Sequence, residues 1–102
     1  MGHSDGDPIL HSVTDSILGA SGMNDIGQKF SDKKSKFKNI RSTILLKKVM
    51  EEIKLKNIFI NNIDINVITE YPKIYKHKKK IIDSICKICN IKKNQINLKG
   101  KT

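Results

Sequence analysis

Residues 60–72 read INNIDINVITEYP, and this stretch decides the fold class that the chain can adopt. It is rich in β-branched residues and partly alternates apolar with polar positions, which predicts a strand at about 63–70 that Pro72 ends. Residues 94–100, NQINLKG, predict a short second strand. Between the strands, apolar residues recur at helical spacing as far as a stop near Asn90: Ile81, Ile82, Ile85, Ile88 and Cys89. A strand, a crossover helix and a second strand indicate α/β layering in which the two strands are sheet neighbours.

The N-terminal half of the chain predicts a helix at about 8–20. Asp7-Pro8 is a helix start signal, since the Asp side chain can cap free N–H groups and proline fits the first helical position. The apolar residues that follow fall on one helical face, and Gly19 or Gly22 can end the helix.

A second helix is predicted over about 40–55, where apolar residues again recur at helical spacing. Residues 21–39 mix Gly, Ser, Asn, Asp and Lys without a period, which predicts a surface loop. The chain is therefore expected to form a single partial α/β domain over residues 1–102. Its two predicted strands make an incomplete sheet, because a two-stranded sheet is rarely stable alone.

The composition of the 102-residue chain excludes several classes of protein. The formal net charge is +10, yet no Lys or Arg precedes Lys29, and 19 of the 20 basic residues are lysines. Such a charge fits nucleic-acid binding, but the lysines are spread along the chain together with Ile and Asn, which favours a compositional bias over a binding patch. No apolar run approaches the roughly 20 residues that cross a bilayer. Two cysteines are too few for a disulfide framework, which favours a reducing compartment.

The acidic N-terminal segment holds the strongest candidate for a metal site. His3, Asp5, Asp7, His11 and Asp15 lie within thirteen residues, and His11 and Asp15 are one helical turn apart. Imidazole nitrogens and carboxylate oxygens are zinc ligands. The same residues also fit a capped helix with solvated histidines, and the residues alone leave both interpretations open.

Three shorter motifs have both a structural and a functional interpretation. Cys86 and Cys89 have the spacing of half a zinc knuckle or a redox pair, but they lie within an apolar helical stripe, which favours core cysteines. Residues 75–80, YKHKKK, could grip phosphates, although a solvated first turn of a helix is favoured. Residues 71–73, YPK, bring a lysine to the end of a strand, where ligands bind in α/β folds.

Four blocks of the sequence resemble one protein family. They are HSDGD-x-x-x-H-x-x-x-D-x-x-L-G-A at 3–20, DIG-x-x-F-x-D at 25–32, PK at 72–73 and NLKGKT at 97–102. In this order they resemble the 2-C-methyl-D-erythritol 2,4-cyclodiphosphate synthases of the non-mevalonate isoprenoid pathway. The resemblance extends across all 102 residues.

The resemblance implies a fold, a reaction and an assembly. The fold would be an α/β mixed sheet with helices packed on one face, in a homotrimer whose sheets face the threefold axis and whose active sites lie between subunits. The enzyme would be a phosphorus-oxygen lyase that cyclises 4-diphosphocytidyl-2-C-methyl-D-erythritol 2-phosphate and releases CMP. Its cofactors would be Zn²⁺, and Mg²⁺ or Mn²⁺ with the substrate diphosphate. No nucleic-acid or membrane partner is implied, and the location would be the cytoplasm of a bacterium, or the plastid or apicoplast of a eukaryote.

The resemblance also implies roles for particular residues. His11 matches a zinc ligand, while His3 and Thr102 match residues that stabilise the transition state, and His3 also contacts the substrate. Further substrate contacts would come from Ser4, from Asp25, Ile26 and Gly27, and from a loop of Phe30, Ser31, Asp32, Lys33 and Lys34. The cytidine pocket would be formed by Thr69, Glu70, Tyr71, Pro72, Lys73, Ile74 and Tyr75 of the neighbouring subunit.

Parts of the family pattern fall outside these residues. The family's first strand, with an Asp-x-His zinc pair, would precede the chain, and a Glu that serves the second metal would follow Thr102. We therefore expect the chain to be the central part of a synthase, with one of three zinc ligands. Two alternatives are a catalytically inactive fragment that keeps a cytidine-nucleotide pocket and a small basic nucleic-acid-binding domain.

Overall fold

The computed structural model describes residues 2–23, 41–68 and 74–101, with side chains for 6–23, 41–68 and 77–100. A 3-10 turn leads into the second strand. The elements are helix α1 at Gly2–Ala20, helix α2 at Ser42–Leu55, strand β1 at Ile63–Ile68, helix α3 at Ile74–Cys89, the turn at Lys93–Gln95 and strand β2 at Ile96–Lys101. The predicted order of helix, helix, strand, helix and strand is confirmed.

Strands β1 and β2 form a parallel pair in which Ile63 lies opposite Ile96 and Ile65 opposite Leu98. Because side chains alternate across a strand, these apolar residues share one buried face, while Asp64 and its neighbours on the other face are exposed. Helix α1 contacts β1, and α3 contacts β2. The α/β class with helices on one face is confirmed. The described strands are parallel, and the antiparallel strand that a mixed sheet also needs is not among the described residues.

One hydrophobic core joins the three helices to the buried face of the sheet. Val13 and Leu18 of α1, Leu46 and Val49 of α2, and Ile85 of α3 are each at most 3% exposed. Their spacing is that of the three apolar stripes in the sequence, so the predicted core faces are confirmed. Burying a side chain of this size stabilises the fold by about 1.5–3 kcal/mol.

Helix α1 begins at Gly2, well before the predicted start at residue 8, and Pro8 lies inside the helix. The prediction that Asp7 caps the helix was therefore wrong. The reason is tertiary contact, which overrides a local start signal. The hydroxyl of Ser42 in α2 donates to the carbonyl oxygen of Asp7 at 3.3 Å. Gly6 is buried, and a Cβ at that position would lie 3.8 Å from Cγ1 of Ile81 in α3.

The other element boundaries differ from the predicted ones by smaller amounts. Helix α3 begins at Ile74, so the YKHKKK motif forms its first turns, as the structural interpretation of that motif predicted. Strand β2 begins at Ile96 because Gln95 belongs to the 3-10 turn, where its side chain accepts from the Lys92 N–H at 2.8 Å and donates to the Asn61 carbonyl at 3.2 Å. Most of the predicted loop at 21–39 and the predicted strand end at 69–70 lie outside the described residues.

Candidate functional site

Helix α1 presents a row of polar side chains on its solvent side. Asp7, His11 and Asp15 are spaced by four residues and so lie on one face of the helix. Together with Pro8 and Ser12 they line an open surface depression of about 690 Å³. His11 and Asp15 are exposed and Asp7 is half-buried. The imidazole of His11 is therefore accessible, with a carboxylate one helical turn away on either side.

Two buried hydroxyl groups donate to backbone carbonyl oxygens of α1. Thr14 is fully buried, and its hydroxyl donates to the Leu10 carbonyl at 2.7 Å within the helix. Ser42 of α2 is 1% exposed, and its hydroxyl donates to the Asp7 carbonyl of α1. This second bond joins α2 to the turn of α1 that directly precedes His11.

The donor chemistry around His11 fits one position of a zinc site. Zinc in proteins takes imidazole nitrogens, carboxylate oxygens and thiolates, and it needs three or four protein ligands. Among the side chains that the structure describes, no group of three His, Cys, Asp or Glu residues is arranged to hold a metal ion. At this depression the described part of the chain thus offers the His11 imidazole as one ligand, and a complete zinc site there would need groups from beyond the described residues.

The remaining predicted site residues divide into two sets. His3 and Ser4 lie in the first turns of α1, and Ile74 and Tyr75 in the first turn of α3, where the structure describes the backbone only. The others lie outside the described residues: Asp25, Ile26, Gly27, Phe30, Ser31, Asp32, Lys33, Lys34, Thr69, Glu70, Tyr71, Pro72, Lys73 and Thr102. Strands β1 and β2 end in register at one edge of the sheet, and ligands of α/β folds bind outside the carboxyl ends of the strands.

The two cysteines belong to the core. Cys89 is 4% exposed and Cys86 is half-buried, and both are free thiols. Burial raises the pKa of Cys89 to about 11, with a smaller contribution from Cys86, and burial also raises the pKa of Cys86. Because the thiolate is the reactive and metal-binding form, these groups are poorly suited to zinc binding or disulfide exchange at neutral pH. The core interpretation of the pair is supported.

The lysines of α3 are partly engaged in ion pairs. Lys79 of α3 lies 3.5 Å from the carboxylate of Asp83 within the same helix, and Lys93 of the 3-10 turn lies 3.3 Å from it and so joins the turn to the helix. The hydrogen bond from Lys93 is the main reason that the pKa of Asp83 is lowered. This arrangement fits a solvated, ion-paired helix face better than a surface that grips phosphates.

Sequence reasoning missed Ser42. A serine at the start of a helix resembles an N-cap, but the N-cap of α2 is Arg41, which makes no capping bond through its side chain. The partner of the Ser42 hydroxyl lies 35 residues away in the sequence, so no local pattern could have revealed it. Among the described helices, none combines the length and the apolar character needed to cross a membrane.

Fold and site together define an α/β domain with parallel strands, in which one helix displays an accessible histidine between carboxylates. A family model described as the YgbB family matches residues 1–102, and the chain belongs to this family. The predicted family is confirmed, and the alternative of a nucleic-acid-binding domain is not favoured.

The relatives of the chain are cyclodiphosphate synthases, alone or fused to a second enzyme. The chain is 64% identical over 102 residues to the bifunctional enzyme IspD/IspF of Pelagibacter ubique, of which it covers 28%. It is 51% identical to the apicoplast 2-C-methyl-D-erythritol 2,4-cyclodiphosphate synthase of Plasmodium falciparum, of which it covers 42%. The solved IspF–CDP complex of Plasmodium falciparum superposes with a TM-score of 0.80 at 48% identity, covering 100% of this chain and 60% of that one. The chain thus spans less than two thirds of each of these relatives.

Proposed function

We propose that the protein to which this chain belongs is a 2-C-methyl-D-erythritol 2,4-cyclodiphosphate synthase, a phosphorus-oxygen lyase of isoprenoid biosynthesis. The observation that carries the proposal is the match of all 102 residues to the YgbB family. The accessible imidazole of His11 is the structural feature that fits it. The location of the protein would be a bacterial cytoplasm, or a plastid or apicoplast like that named for the Plasmodium falciparum relative.

The proposed reaction is an intramolecular phosphoryl transfer within 4-diphosphocytidyl-2-C-methyl-D-erythritol 2-phosphate. An oxygen of the 2-phosphate attacks the β-phosphorus of the diphosphate and forms the new P–O bond that closes the ring. The bond from the β-phosphorus to the bridging oxygen breaks, and CMP leaves with that oxygen and its electron pair. Because the nucleophile belongs to the substrate, the protein has to orient the two phosphates and stabilise the charge that develops.

His11 would supply one zinc ligand, and two more would come from parts of the protein outside the described residues. Bound zinc would supply Lewis-acid polarisation of a phosphoryl oxygen, and Mg²⁺ or Mn²⁺ would accompany the diphosphate. His3 and Thr102 would stabilise developing charge. Ser4, the segments 25–27 and 30–34, and the cytidine pocket at 69–75 would orient the substrate. In the proposed homotrimer, that pocket would complete the active site of the neighbouring subunit. The CDP bound to the Plasmodium falciparum IspF fits a cytidine-diphospho substrate.

The test uses the full-length protein with zinc and follows CMP release from the cytidine-diphospho substrate. We expect release by the unmodified protein and a loss of about 100-fold or more in kcat/KM for His11→Ala, since an open zinc site with one ligand fewer binds metal poorly. The matched control is His77→Ala, which removes a half-buried histidine of α3 that has no assigned role.

Absence of CMP release from the full-length protein would overturn the proposal. Cytidine-nucleotide binding without turnover would then point to the inactive alternative. Equal losses for His11→Ala and His77→Ala would show that His11 has no special part in the site.

A further inference from the structure

Ser42 is placed unusually for a serine at the start of a helix. It does not serve its own helix as a cap, since it follows the N-cap Arg41. It is 1% exposed, and its hydroxyl donates to the Asp7 carbonyl oxygen at 3.3 Å. In a regular helix the same carbonyl accepts the backbone N–H of the residue four positions later, which here is His11. One oxygen atom therefore links α2 to the turn that carries the exposed imidazole.

This link lies beside the proline of α1. Pro8 has no N–H, so the carbonyl of Ser4 has no helical donor, and proline also crowds that carbonyl. The turns that hold His3 and Ser4 are therefore connected to the rest of α1 by one hydrogen bond fewer than usual. Asp7 directly precedes Pro8, so the bond from Ser42 holds the helix beside this discontinuity.

A hydrogen bond adds a directional contact to the apolar packing between α1 and α2. Burial of apolar surface has no preferred direction of its own, so the bond from Ser42 restricts α1 in a way that burial alone does not. The Ser42 bond is part-buried and, at 3.3 Å, longer than most O–H···O bonds, but it is directional, and leaving the buried Ser42 hydroxyl unpaired is costly. The Ser42 hydroxyl is thus suited to set the position of the first half of α1 along the helix axis and its rotation about that axis.

We infer that Ser42 is a positioning residue, which holds the half of α1 bearing His3, Ser4 and His11 in the geometry that metal and substrate require. The inference rests on the proposed function, and it assigns Ser42 no contact with substrate or metal. It deepens that function by naming a residue of the hydrophobic interior that the site depends on.

The experiment compares Ser42→Ala with Thr14→Val in the full-length protein. Each variant removes one buried hydroxyl that donates to a carbonyl of α1, but the Thr14 bond stays within the helix. The readouts are the zinc dissociation constant from competition with a chelator, kcat and KM for CMP release, and the thermal midpoint. We expect similar losses of thermal midpoint, a zinc dissociation constant and kcat/KM about tenfold worse for Ser42→Ala, and changes within about twofold for Thr14→Val.

Equal effects of the two variants on zinc affinity, or no effect of Ser42→Ala, would overturn the inference. If Ser42→Ala does not fold, Ser42→Cys replaces it, because Cys has a side chain of similar size with a weaker donor. Ser42→Cys is then compared with Thr14→Val by the same measurements. A protein that without substitution neither binds zinc nor releases CMP would count against the proposed function. The inference would then be decided by amide hydrogen exchange in residues 2–11, which has to be faster in Ser42→Ala than in Thr14→Val.

Discussion

At the scale of single residues, burial decides what a side chain can do more than its chemical type does. Cys89 and His11 both belong to residue types that bind zinc, yet their surroundings differ. Cys89 is 4% exposed and its pKa is raised to about 11, so its thiol stays protonated and packs as an apolar group. His11 is exposed in a depression beside two carboxylates. The thiol is therefore a structural group, whereas the imidazole is accessible to a ligand role of the kind proposed above.

The raised pKa of Cys89 predicts a loss of stability at alkaline pH. In the unfolded chain the Cys89 thiol has its ordinary pKa of about 9. Below that pH the thiol holds its proton in both the folded and the unfolded state, so its contribution to stability is fully present. Between about pH 9 and 11 the unfolded state loses the proton first, which favours unfolding. Relative to Cys89→Val, which cannot titrate, we expect the unmodified protein to lose about 1–2 kcal/mol of unfolding free energy across this range. Urea unfolding at pH 8, 9, 10 and 11 measures the difference, and parallel curves for the two proteins would contradict the prediction.

At the scale of elements, the three helices end in the same way. Gly22, Asn57 and Asn90 have φ values of +73°, +59° and +55°, and each lies just past the end of a helix. The residue that follows each of them donates its N–H to a carbonyl five positions earlier, at 2.8 to 3.1 Å. This is the Schellman motif, which satisfies carbonyls that the helix leaves open. Of the two stops predicted for α1, Gly19 and Gly22, it is Gly22 that takes the left-handed conformation, and the stop predicted near Asn90 is confirmed.

The helix ends and core faces could be predicted from the sequence because their causes are local. The apolar stripe from Val13 to Leu18 repeats within a few residues, and a Gly or Asn stop acts on its own turn. The start of α1 could not be predicted, since its first half packs beside Ser42 and Ile81, which are distant in the sequence and give no local signal. The candidate site likewise has a part that local sequence spacing predicts and a part that it does not. His11 could be placed on a helix face from spacing, whereas the further ligands of the proposed zinc site would come from outside the residues that the structure describes.

The exposed Asn90 provides a test of the helix stop. Asn tolerates the left-handed region because its short polar side chain can hydrogen-bond locally, and Ala keeps the Cβ without that compensation. We therefore expect a loss of about 1 kcal/mol in unfolding free energy for Asn90→Ala, whereas Asn90→Gly is expected to be neutral or slightly stabilising. Asn62→Ala is the control, because Asn62 is also exposed but has no positive φ. Chemical denaturation of the full-length variants measures the three effects. A loss for Asn62→Ala as large as that for Asn90→Ala would show that the positive φ of Asn90 is not the cause of the loss.

At the scale of the whole molecule, the sheet has one covered face and one that the described residues leave open. Asp64, Asn66 and Ile68 alternate on the open face of β1, opposite Asn97 and Lys99 of β2. Ile68 is 81% exposed at the carboxyl end of the strand. If the protein forms the proposed homotrimer with its sheets towards the threefold axis, this face is the one that approaches the other subunits, and Ile68 lies at an interface.

The proposed assembly therefore predicts different effects for two exposed apolar residues. Ile68→Lys would bring three like charges together near the axis, where they repel and lose hydration, so we expect the full-length trimer to dissociate and CMP release to fall with it. Leu55→Lys makes the same chemical change at the end of α2, where the side chain is 85% exposed, and we expect it to leave the trimer intact. Light scattering coupled to size-exclusion chromatography measures both masses. A trimeric Ile68→Lys variant would show that the open face does not meet its copies, while dissociation of Leu55→Lys would place the end of α2 at an interface.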